Sequence, residues 1–208
     1  KCVSCGQCLV SCPFGAIVDK SQIYQVIRSI LEDNEVVAIV APSFVGQFGK
    51  DVTVPKFLTA MKQLGFSDVV EVAAGADICT IEEAHDFLEK VPNEQRFMAT
   101  SCCPSWRMMA RRLFPAESGN ISMTYTPMVY TARLVKKEHP NSKVVFIGPC
   151  AAKKLEAMQD DIRTDVDFVL TYEELMGIFE AKEINFSTLP DSPDLDEGTR
   201  AGRGFAVA

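Results

Sequence analysis

Four of the eight cysteines fall within the first twelve residues, as Cys2, Cys5, Cys8 and Cys12, and Pro13 stands directly behind the last. Thiolates at this C-x2-C-x2-C-x3-C spacing can hold three corners of a [4Fe–4S] cube from one tight loop. The fourth, before proline, serves the other cluster where a protein carries two. Ser4, Gly6 and Gly15 are small enough to let backbone N–H groups approach the sulfides. A zinc ion or disulfides would compete for such thiols; the spacing and the trailing proline favour the cluster. By the two-cluster rule the partner half lies before Lys1, so this stretch alone lacks at least one ligand for each cluster.

The remaining four are Cys79, Cys102, Cys103 and Cys150. Cys102 and Cys103 are adjacent in TSCCPSW (100–106), after a short apolar run. Adjacent residues leaving a strand point to opposite sides, so one is expected to ligate while the other faces a different species. Pro104 suits the first turn of a following helix, and a helix N-terminus favours a thiolate. Cys150 also stands between a strand and a helix. Burial as a small hydrophobe is the preferred account only for Cys79. Glu83 and Asp86 are three apart on one helical face, with Cys79 four residues before Glu83. A thiol beside two carboxylates can pass protons, although a solvated helix face is the plainer account.

The elements that must position these groups alternate. Helices are predicted over 21–33, 53–66, 77–91, 104–114, 126–139, 152–158 and 171–182, the last opening with a T-x-x-E capping box. Strands are predicted over 35–42, 68–74, 96–100, 143–149 and 167–172. Such alternation gives an α/β fold, a mostly parallel sheet flanked by helices, and ligands gather at the carboxyl ends of its strands. The loops APS (41–43), AAGAD (73–77), TSCCP (100–104) and GPCAAKK (148–154) are expected to converge there. Residues 186–200, polar and acidic, read as an ordered loop or lid.

The chain has 208 residues, 47% of them apolar, enough for one domain plus a small module. A net charge of -7 argues against nucleic acid as a partner. No run of about 18 apolar residues suggests a membrane span, and no signal peptide is visible. The cysteine usage implies a reducing compartment, the cytoplasm. Both ends look cut, so the chain is expected to be a fragment: residues 1–20 half of a ferredoxin-type module, 21–208 the first part of a larger catalytic domain.

TSCCPSW (100–106) and GPCAAKKLE (148–156) resemble the first two signature motifs of the catalytic domain of [FeFe]-hydrogenases, the iron-only hydrogenases. The stretches APS (41–43) and GAD…EE (75–83) match in the same order, and the cysteine run sits where these enzymes carry a ferredoxin-like accessory module. The resemblance implies that Cys103 and Cys150 ligate a [4Fe–4S] cube and that Cys102 shuttles protons to an attached two-iron site. That diiron site carries CO, cyanide and a bridging dithiolate. It implies that Lys153 hydrogen-bonds a cyanide, that Pro42, Ser43 and Phe205 line the diiron pocket, and that Glu83, Ser122 and Asp86 continue the proton relay. Asp86 stands where the family has a glutamate, one methylene longer.

The implied activity is the interconversion of H2 with protons and electrons, with ferredoxin or another redox protein as electron partner. The family's third motif, with the last two cube cysteines, does not occur in the sequence, so the 208 residues alone are expected to be inactive. Gly148 replaces a methionine and Ala152 a hydroxyl residue of the prototypical enzymes, which suits a slow hydrogen sensor. A hydrogenase-like iron–sulfur assembly scaffold without a diiron site is the other alternative; a plain ferredoxin would leave residues 20–208 unexplained. His85 and His139 are not assigned to a metal. Trp106, Met108 and Met109 are expected in the core. The pairs 111–112 (Arg-Arg) and 136–137 (Lys-Lys) read as solvated faces or docking points for an acidic carrier.

Overall fold

The computed structural model describes residues 2–32 and 34–191. Its strands are β1 (Val36–Val40), β2 (Asp68–Glu71), β3 (Lys143–Gly148) and β4 (Phe168–Thr171). They form one parallel sheet in the order β2-β1-β3-β4. The helices are α1 (Gln7–Val10), α2 (Ile23–Leu31), α3 (Val54–Leu64), α4 (Ala73–Lys90), α5 (Pro104–Leu113), α6 (Pro127–Glu138), α7 (Ala152–Ala157) and α8 (Tyr172–Ala181). Every residue of β1 is buried, as a continuous run of branched side chains requires at the centre of a sheet covered on both faces.

Alternation along β1 divides two cores. Val36, Ala38 and Val40 join Val26 of α2, Phe57 and Met61 of α3 and Leu175 of α8. Val37 and Ile39 face Met128, Ala132 and Val135 of α6. α4 then stacks on α6 through Gly75, where a Cβ would meet the Thr131 hydroxyl at 2.3 Å and the Pro127 carbonyl at 2.4 Å. The connection through α3 places β2 on one side of β1, and the connection through α4, α5 and α6 places β3 on the other. The chain therefore diverges where β1 and β3 end, opening a crevice there.

Three expectations change. Residues 96–100 form no strand: Ala99 makes a single parallel bridge with Ile121, because the segment lies outside the sheet with no long partner. AAGAD (73–77) is the start of α4 rather than a loop, since its small residues are what permits the close approach to α6. Trp106 and Met109 are 38% exposed and Met108 half-buried, because the face α5 buries is Pro104, Ser105 and Ala110. The capping box forms, with Thr171 and Glu174 bonding each other's backbone N–H. Phe186 and Leu189 pack on the α3/α8 side. The rest of the expected lid, from residue 192, and Phe205 lie outside the described residues. Among the described residues no helix is long and apolar enough to cross a membrane.

Candidate functional site

At the carboxyl ends of β1 and β3 a cavity of about 250 Å³ is lined by Pro42, Ser43, Cys102, Cys103, Cys150 and Lys153, with Met128 and Phe146 among its walls. Pro42–Phe44 form a 3-10 turn after β1. The Tyr172 hydroxyl donates to the Ala41 carbonyl at 3.0 Å, and Ser43 donates to Tyr172 at 2.7 Å, which fixes that wall. Gly148 lies beneath Phe146: a Cβ there would come within 2.4 Å of the ring. The aromatic ring thus occupies the room a side chain at 148 would need.

Cys102 and Cys103 both line this cavity. Cys103 is the N-cap of α5, and its Sγ accepts from the Trp106 N–H at 3.4 Å. Cys102 is half-buried, and burial pushes its thiol pKa up, against the pull of Lys153 and the Thr100 hydroxyl. Burial therefore favours the thiol over the thiolate at this position. Lys153 donates to the Cys102 carbonyl at 3.0 Å and to Glu156 Oε2 at 2.6 Å. Glu156, 1% exposed, accepts from the Thr126 hydroxyl at 2.7 Å through its other oxygen. An ammonium held by two acceptors, one of them the carboxylate of buried Glu156, keeps one orientation at the cavity wall.

α4 buries a stripe of small residues, Ala73, Ala76 and Cys79, and Glu83 continues it. Glu83 is 8% exposed. Burial raises its pKa, although the Ser122 hydroxyl and Ser101 N–H both donate to it. The Ala99–Ile121 bridge supplies Ser122: Ser122 N–H donates to the Ala99 carbonyl at 2.8 Å, tying that hydroxyl to the strand-like segment before Cys102. Cys79 is buried as expected, and burial together with the charges of Glu83 and Cys102 pushes its thiol up to about 12. Asp86 lies further out and pairs with Lys90 at 3.1 Å.

Cys2, Cys5 and Cys8 line a second cavity of about 500 Å³, and all eight cysteines are free thiols. Ser4 and Gly6 adopt left-handed backbone (φ 57° and 79°), and Ser4 N–H donates to Cys2 Sγ at 3.2 Å. Hydrogen bonds from the Phe14 and Ala16 N–H groups lower the Cys12 pKa. Backbone donors aimed at sulfur favour the thiolate, so these residues fit an iron–sulfur cluster. Among the described residues no three His, Cys, Asp or Glu side chains form a site for a single metal ion. Cys5 and Cys150 share a third cavity, of about 570 Å³, so the two cysteine sets adjoin. Of the basic pairs, Arg112 donates to the Cys2 carbonyl at 2.7 Å and Lys136 to Asp167 at 2.8 Å; both are tethers within the chain. His139 meets Glu35 at 2.6 Å and His85 is exposed.

With that geometry in place, the comparisons with known proteins define the class. The family described as "Iron only hydrogenase large subunit, C-terminal domain" matches residues 34–208, and the 4Fe-4S binding domain matches residues 1–18. The chain belongs to the iron-only hydrogenase large-subunit family. It is 33% identical to Iron hydrogenase 1 of Clostridium pasteurianum, over 94% of this chain and 38% of that protein. It is 28% identical to the cytosolic Fe-S cluster assembly factor NAR1 of Meyerozyma guilliermondii, over 67% of this chain and 29% of that protein. A structure of a variant of [FeFe]-hydrogenase HydA1 from Chlamydomonas reinhardtii superposes with a TM-score of 0.75 at 25% identity, covering 88% of this chain and 52% of that one. The chain thus spans about two fifths of the length of the iron hydrogenase it matches.

Sequence reasoning missed Glu156, Thr126, Tyr172 and Phe146. Glu156 stood in the quoted GPCAAKKLE stretch, three residues after Lys153 at helical spacing, a signal that was present. Tyr172 reaches its partner Ser43 across 129 residues, which no local pattern discloses.

Proposed function

We propose that the protein is an [FeFe]-hydrogenase-type oxidoreductase that interconverts H2 with protons and electrons. The observation that carries this is the thiol–carboxyl–hydroxyl series of Cys102, Glu83 and Ser122, whose thiol end lines the cavity at the ends of β1 and β3. Burial holds Cys102 and Glu83 towards their protonated forms, from which each has a proton to donate. Cys103 and Cys150 are the chain's ligands for a cube, and Cys2, Cys5, Cys8 and Cys12 for the N-terminal clusters. When bound, the cube with its diiron group supplies the electrons and the coordination site for H2. Lys153, oriented by Glu156, offers a hydrogen-bond donor to an anionic ligand in the cavity. Pro42, Ser43, Met128 and Phe146 restrict water. Protons leave through Cys102, Glu83 and Ser122, with Asp86 at the outer end. The shared cavity of Cys5 and Cys150 gives electrons a short way in from a ferredoxin or similar carrier.

The likeness to a cluster assembly factor supports a second reading, a scaffold without the diiron group. Infrared spectroscopy of the full-length protein, matured anaerobically with a diiron precursor, separates the two. Bands from iron-bound CO and cyanide are expected. A blank spectrum with cluster absorbance intact would move the assignment to the scaffold, and bands with very slow turnover would mark a sensor.

A further inference from the structure

We propose that Lys154 is a positioning residue that holds the N-terminal cysteine segment against the mouth of the Cys150 cavity. This rests on the electron route proposed above. The Lys154 side chain is 10% exposed. Its ammonium pairs with Asp19, donates to both carboxylate oxygens of Glu174 at 2.9 Å, and reaches the Lys20 carbonyl at 3.2 Å. Asp19 and Lys20 end the cysteine segment. Glu174 is already fixed, because its carboxylate also accepts the Thr171 N–H at 2.8 Å. Lys154 itself lies on α7, which opens two residues after Cys150. One ammonium therefore joins the Cys150 loop, the corner between β4 and α8, and the end of the cysteine segment.

The segment has few other holds. α1 buries no residue, and Val10 and Phe14 are 85% and 89% exposed. Its second tether is the Arg112 bond to the Cys2 carbonyl. Exposed ion pairs add little to stability, but this one is shielded, and the single ammonium lies between two carboxylates. Without the ammonium, Asp19 and Glu174 would face each other as like charges and push the segment off. Electron transfer between clusters weakens steeply with distance, so a tether beside the cavity shared by Cys5 and Cys150 sets how well the two cluster sites communicate.

The test uses full-length protein carrying its iron–sulfur clusters but no diiron group. Lys154→Gln and Asp19→Asn are each expected to speed amide hydrogen exchange over residues 15–22 about ten-fold or more. Both should narrow the spin–spin broadening between the N-terminal cluster and the cube in electron paramagnetic resonance, and Lys154→Arg should restore both signals. Exchange in β1 and β3 should stay unchanged. Unaltered exchange and broadening in Lys154→Gln would overturn the proposal. So would an effect in Lys154→Gln with none in Asp19→Asn, since Lys154 would then serve only the α8 corner. Neither readout depends on H2 chemistry, so a blank infrared spectrum would refute the proposed function and leave this result standing.

Discussion

Glu83 lies on the buried stripe of α4, where burial outweighs the two hydrogen bonds that favour its charge. Its folded pKa stands above the ordinary 4.5, so between those values the folded chain holds a proton that the unfolded chain has lost. Stability is then greatest below the unfolded pKa and declines as pH rises through the folded one. Glu83→Gln removes that decline. In urea melts from about pH 4.5 to about pH 8 the variant should gain on the wild type as pH rises; a difference independent of pH would contradict the burial effect. In full-length protein with unchanged iron content, the same substitution should slow H2 turnover about 100-fold or more. Lys153 and Glu156 form a nearly buried pair, with side chains 13% and 1% exposed. Lys153→Met leaves the Glu156 charge uncompensated and should cost about 3–5 kcal/mol. The double variant Lys153→Met/Glu156→Gln should fall short of the summed single losses by about 1–3 kcal/mol, measured on the metal-free chain. The sequence disclosed Lys153 through its motif, whereas Thr126 was silent because its bond to Glu156 spans 30 residues.

The meeting of α4 and α6 decides where Cys79 and Glu83 point. Gly75 lets the helices touch, and the atoms a Cβ would strike include the Pro127 carbonyl and the Thr131 N–H. Backbone cannot rotate aside as a flexible side chain can, so Gly75→Ala should cost about 1–3 kcal/mol as overpacking. It should also shift α4 away from the Cys102 segment. Thermal and urea melts check the first effect. A changed pH dependence of the Glu83 contribution checks the second, and full stability with an unchanged pH profile would show the contact to be loose. The seven helices from α2 onward and the four sheet strands were legible in the sequence from their apolar periods and runs of branched side chains, whereas α1, with no buried face, left no such signal. Residues 96–100 were misread because a short apolar run looks the same whether it enters a sheet or makes one bridge. That bridge nevertheless brings Ser122 to Glu83, so the misread stretch is part of what builds the relay. AAGAD was misread for a related reason: glycine and alanine suit a loop, yet they also suit a helix that must lie close to another.

Across the whole molecule the two cysteine sets rest on different kinds of support. Cys150 follows a strand of a sheet with two apolar cores, one on each face, and Cys102 and Cys103 open a helix beside the same cavity. Cys2, Cys5, Cys8 and Cys12 stand on a segment whose helix buries no residue. That helix contributes no buried side chain of its own, so the binding energy of its cluster acts as its folding energy. Removing iron with a chelator should therefore strip protection from backbone amides 2–16 while the amides of β1 and β3 keep theirs. The melting temperature of the sheet should move by less than about 4 °C, the shift that roughly 1 kcal/mol produces in a domain of this size. Residues 17–22 should lose less protection than 2–16, because Lys154 and the bond from Val169 N–H to the Gln22 side chain at 2.7 Å remain after the iron has gone. Hydrogen exchange followed by mass spectrometry, before and after chelation, reads all three regions in one experiment. Loss of protection in β1 and β3 would mean that the cluster segment supports the sheet. A uniform loss from 2 to 22 would mean that the contacts of Lys154 and Gln22 form only once the cluster has ordered the segment.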